Sequence, residues 1–107
     1  MKPPTASEKR HMARVAEMPC LVCGARPVTL HHPTGFADRM GRFSRSHKLV
    51  TPLCPMHHLI QHDPFADMPI SVERLGHRGF YREHGIDLLA EAARLWAESF
   101  ELERRAA

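Results

Sequence analysis

Leu53-Cys54-Pro55-Met56-His57-His58-Leu59-Ile60-Gln61-His62 is the stretch on which the fold turns. Cys54 and His57 have two residues between them, and upstream Cys20-Leu21-Val22-Cys23 repeats the same spacing. A two-residue spacer lets both side chains turn inward in a tight knuckle, so each pair can supply one side of a tetrahedron. Thiolate and imidazole suit zinc, and four protein ligands close such a site to water. Pro19 before one pair and Pro55 inside the other stiffen the turns. Cys20, Cys23, Cys54 and His57 are therefore expected to hold a structural Zn2+. The bland alternative is three buried free thiols and an unrelated histidine.

The rest of the chain agrees with a metal-stabilised small domain. At 107 residues it offers one modest core, and chains of this size often gain stability from a metal or disulfides. Three cysteines cannot all pair within the chain, no secretory signal precedes them, and no apolar run approaches membrane length. A reduced, cytoplasmic setting is expected, with no membrane partner. A hydrophobic share of 43% argues against disorder. The net charge of +3 is weak evidence for any partner. Its distribution says more: Arg39, Arg42, Arg45 and Lys48 lie together with no acid among them.

Working outward, the pattern predicts an α+β chain. A helix is expected over Ser7 to Met18 with Ser7 as cap, and a short strand over Pro27 to Leu30 leading into His31-His32. Residues 33–46 carry two glycines and the arginines, and read as a long exposed loop. A second strand is expected within Lys48 to Leu53, then a helix from Pro55 to about His62. Ser71 caps a broken helical stretch to His84, weakened by Gly76 and Gly79. Ile86 to Arg104 is the clearest helix, with Leu88, Leu89, Ala92, Leu95, Trp96, Ser99 and Phe100 at helical spacing. Trp96 and Phe100 are assigned to core packing. The organisation is an N-terminal helical extension (1–19), a zinc-bound core (20–63) and a C-terminal helical segment (64–107) within one domain.

Nine histidines in 107 residues are unusual, and several remain after the zinc is satisfied. His58 and His62 are four apart, so on one helix both rings leave the same face. His31 and His32 point to opposite sides of a strand, so one can bind a metal while the other faces a substrate. As a structural alternative, these histidines are surface residues or further zinc ligands.

Leu30-His31-His32-Pro33, Leu53-Cys54-Pro55-Met56-His57-His58 and His62 resemble the motifs of HNH nucleases, a branch of the His-Me finger fold. The tail Phe80-Tyr81-Arg82-Glu83-His84-Gly85-Ile86-Asp87, followed by Leu95-Trp96, is similar to a phage and prophage group of RecA-dependent nucleases (Ref-like). The resemblance implies a zinc-stabilised, treble-clef-like ββα-metal core with flanking N- and C-terminal helices. It implies a metal-dependent endonuclease hydrolysing DNA phosphodiester bonds in a bacterial host cell, linked to recombination and to a recombinase filament. His31, His58 and His62 would hold the catalytic divalent metal (Mg2+, Mn2+, Zn2+ or Ni2+), and His32 would be the general base. The family's middle Asn has no counterpart, since the chain contains none. The corresponding stretch is Ser46-His47-Lys48-Leu49, where His47 would orient His32 instead. Arg39, Arg42, Arg45 and Lys48 would hold DNA phosphates; their plain alternative is a solvated loop. Two rival readings keep the zinc and drop the chemistry: a DNA-binding or recombination accessory module, and a protein–protein adaptor docking through the last helix.

Overall fold

The computed structural model describes residues 3–33, 47–65 and 67–106. The first helix, α1 (Ala6–Ala16), starts on a capping box: Glu8 N–H donates to Thr5 Oγ1 at 3.1 Å, and Thr5 N–H donates to Glu8 Oε1 at 2.8 Å. The cap is Thr5 and not Ser7, because only Thr5 has a glutamate three residues on to complete the box. Ser7 instead donates its hydroxyl proton to Glu103 Oε2 at 2.8 Å.

Two short strands, β1 (Thr29–His31) and β2 (Thr51–Leu53), pair antiparallel with Thr29 opposite Leu53 and His31 opposite Thr51. Next come the one-turn helix α2 (Pro55–His58), a 3-10 turn (Ile60–His62), α3 (Val72–His84) and α4 (Leu88–Ala106). Pro55 occupies the first turn of α2, where its missing N–H costs nothing. Ser71 caps α3 as expected, accepting from Arg74 N–H at 3.3 Å. The break expected near the α3 glycines is a kink at Gly76, whose φ of 72° and ψ of 171° only glycine adopts readily. Gly85 ends α3 in the left-handed conformation, donating its N–H to Tyr81 O at 2.7 Å. Asp87 then opens α4 by accepting from Ala90 N–H at 3.1 Å.

The sheet separates two cores. On one side Leu53, Val72, Phe80 and Leu88 pack with Cys20 and Cys54. On the other, Val50 meets Val15 of α1 and Leu95 of α4. Along the α1–α4 seam His11 is buried, its Nδ1 2.6 Å from Ser99 Oγ and its ring edge-on to Trp96 at 5.1 Å. Arg14 donates to Ser99 Oγ at 2.7 Å and to Leu95 O at 2.8 Å. Burial pushes the His11 pKa down, so the ring stays neutral in this seam.

The assignment of Phe100 to the core is corrected, because its side is 61% exposed. α1 covers the line Ala92–Leu95–Ser99, and one residue further round the helix is about 100° away from it. Trp96 is half-buried against His11, with Lys48 Nζ 5.5 Å from its ring centroid. Among the described residues, no helix is long and apolar enough to cross a membrane.

Candidate metal centre

The first cluster begins with the knuckle at residues 20–24. Cys20 N–H donates to Ala25 O at 3.0 Å and Gly24 N–H to Cys20 O at 2.9 Å, which closes the turn. Leu21 N–H donates to Pro52 O at 3.1 Å and fastens the knuckle to β2. Facing it, His57 and His58 N–H groups both reach Cys54 O, at 3.1 and 3.0 Å, curling α2 so that His57 returns toward Cys54.

The ligand atoms of Cys20, Cys23, Cys54 and His57 all lie within 4.8 Å of one another. Cys23 Sγ is 3.7 Å from Cys54 Sγ, and His57 Nδ1 is 3.8 Å from Cys20 Sγ and 3.1 Å from Cys54 Sγ. A tetrahedral zinc with thiolates at 2.3 Å has edges of about 3.8 Å, so the cage has the size that zinc needs. These four residues are positioned to bind a metal ion, in agreement with the ligand set expected from spacing.

The electrostatics of the cage explain why a cation belongs in it. Burial pushes the Cys54 thiol up to about 11, and the neighbouring Cys23 and Cys20 sulfurs raise it too. At Cys20 burial also opposes ionisation, but backbone N–H groups of Cys54, Cys23 and Val22 outweigh it and lower the pKa. Burial first, and then His84, lower the pKa of His57 and leave its ring neutral. Three sulfurs crowded around a neutral imidazole need a positive charge at their centre before all can ionise.

His84 is a residue that sequence reasoning did not assign to this cluster. Its ring lies 5.4 Å from that of His57 and 4.5 Å from that of Phe80, and its Nε2–H donates to Ile70 O at 2.9 Å. That bond ties the end of α3 to the segment before it. His84 thereby closes the outer side of the cage.

The second cluster lies across α2. His31 is buried at the end of β1, with the His58 ring 5.2 Å away on one side. His58 Nδ1 is 2.5 Å from Thr29 Oγ1, whose own proton goes to Leu53 O at 3.0 Å. The hydroxyl can then only accept from His58, which places the His58 proton on Nδ1 and leaves Nε2 as a lone pair. Burial pushes the His31 pKa down to about 3, with His58, His77 and His32 lowering it further; burial lowers His58 as well. Both rings are neutral, the form that ligates metals.

His32, next along β1, is half-buried, and its ring centroid is 6.3 Å from that of His47. His31 and His32 thus have different neighbours, as strand alternation requires. His62 lies elsewhere. The helix expected through it stops at His58, because Leu59 is extended (φ −104°, ψ 133°) and Ile60 N–H is captured by Glu73 Oε1 at 2.9 Å. His62 sits exposed on the 3-10 turn, so the shared helix face with His58 does not form. Arg39, Arg42 and Arg45 fall outside the described residues; Lys48 is exposed beside Trp96.

No protein-family model and no curated protein matches the chain.

Proposed function

We propose that the chain is a metal-dependent DNA endonuclease built on a zinc-stabilised ββα-metal core, as its resemblance to HNH nucleases implies. One observation carries the reading. Consecutive histidines at the end of β1 have separate neighbourhoods, with His31 buried against His58 and His32 beside His47.

A divalent cation held by His31 and His58 supplies electrostatic stabilisation to a scissile phosphate. His32 takes the proton of the attacking water. His47 orients the His32 ring in the place of the Asn usual in that family. Arg39, Arg42, Arg45 and Lys48 hold backbone phosphates, giving affinity that falls with salt and carries no sequence choice. The link to recombination and to a recombinase filament rests on the resemblance alone.

A supercoiled-plasmid nicking assay with Mg2+, Mn2+, Zn2+ or Ni2+ tests the reading. His32→Ala is expected to lower cleavage by about 10²–10⁴-fold while leaving metal content unchanged. Full activity in that variant removes His32 as the base. Wild-type protein that shifts DNA mobility but cuts with none of the metals is an accessory DNA-binding module instead.

A further inference from the structure

His77 entered none of the sequence expectations, yet the structure brings it to the centre of the second cluster. Its Nε2 is 3.0 Å from Nε2 of His31, and the two ring centroids are 5.2 Å apart at 80°. His31 is therefore flanked by two imidazoles, His58 from α2 and His77 from α3. The kink at Gly76 immediately precedes His77 and breaks the helical path of α3 there.

Two imidazole nitrogens this close share either a proton or a cation. Zinc–nitrogen bonds of 2.0–2.1 Å give a tetrahedral edge of about 3.3 Å, near the distance found here. The protonation states agree with a cation. Burial lowers the pKa of all three rings, so none brings a positive charge of its own. The Thr29 hydroxyl already fixes the His58 tautomer that leaves Nε2 open. Glu73, on the same helix as His77, acts electrostatically on His58 and favours positive charge beside it. The cluster is looser than the cysteine cage, the one group of three or more ligands among the described residues drawn within 4.8 Å. That openness suits a site that must leave a position for a phosphate or water.

We propose that His31, His58 and His77 together hold a second divalent cation, with α3 supplying the third imidazole in place of His62. The proposal rests on the nuclease reading for what the ion does, but its test counts ions and not cleavage.

Purified full-length chain is dialysed against ZnCl2 and then metal-free buffer, and zinc per chain is measured by elemental mass spectrometry. Two ions are expected for the wild type and for His62→Ala, and one for His77→Ala, whose affinity for the second ion falls at least 10-fold. One ion in the wild type, or two in His77→Ala, overturns the proposal. If His77→Ala loses both ions by failing to fold, the wild type decides. Adding the second zinc equivalent should move the His77 imidazole ¹⁵N resonances and leave those of His62 in place; the reverse pattern overturns the proposal. Two ions without plasmid nicking would keep the site and remove the nuclease.

Discussion

The cysteine cage and the imidazole cluster meet at two consecutive residues, His57 and His58, and are assembled in opposite ways. The cage is made of two local turns, each closed by its own backbone hydrogen bonds, and tertiary structure has only to bring the turns together. The imidazole cluster takes one ring each from β1, α2 and α3, so it exists only once three elements have docked. The cage also contributes Cys20 and Cys54 to the main core, whereas the His58 and His77 rings stay partly exposed. The first site should therefore carry stability and the second should be free to carry chemistry. The difference can be attacked from either side.

The largest effect is expected at the cage. Cys20→Ser removes a ligand that is also a core side chain, and apparent binding energies of structural zinc reach about 10 kcal/mol or more. The variant should lose its zinc and its cooperative thermal transition together, as should wild type treated with a strong chelator. An unchanged melting temperature in Cys20→Ser would make the two clusters equivalent and break the comparison.

Gly76→Ala is the next step down. A Cβ at Gly76 meets nothing within 4 Å, so space is not the obstacle. The obstacle is a backbone at φ 72°, which an L-residue occupies at a cost of about 1–3 kcal/mol. Relieving that strain re-aims His77 while the cage ligands, on other elements, stay put. Ion counting should find the second cation weakened and the first retained, with unfolding in urea showing a loss within that range. Equal weakening of both ions would mean that α3 supports the cage as much as the imidazoles.

The same contrast decides what could be seen in the sequence. Cys20, Cys23, Cys54 and His57 were legible because a knuckle is a local object and its spacing is written in consecutive residues. Pro55, Ser71 and the glycines of α3 were legible for the same reason, and the elements they bound appear within a few residues of the expected places. His62 was misplaced because a helical i to i+4 rule assumes the helix continues. It stops when Glu73, thirteen positions away, takes the Ile60 N–H that the next turn would need. A four-residue helix gains too little from its own bonds to resist that capture. His77 was invisible for the complementary reason. Nothing in Leu75-Gly76-His77-Arg78 signals a partner at His31, and only the packing of α3 on the sheet side creates the contact. Phe100 shows the same limit on a smaller scale, since helical spacing gave the stripe but not how much of it α1 would cover.

The finest test concerns a single hydroxyl. Thr29 Oγ1 donates to Leu53 O, and this turns it into an acceptor for His58 Nδ1–H. Thr29→Val keeps the shape and the strand propensity but lets the His58 ring rotate or change tautomer. Loss of a hydrogen bond that orients a metal ligand costs about 10–100-fold in metal affinity. The second cation should weaken by that factor, read by competition with a chromogenic chelator, while the cage zinc and the melting temperature hold. Thr29→Ser, which restores the hydroxyl, should recover most of the affinity. A purely structural role for Thr29 would lower the melting temperature and leave the second cation's affinity alone. In that case His58 would be held by packing, and the two sides of α2 would differ less in design than their ligands suggest.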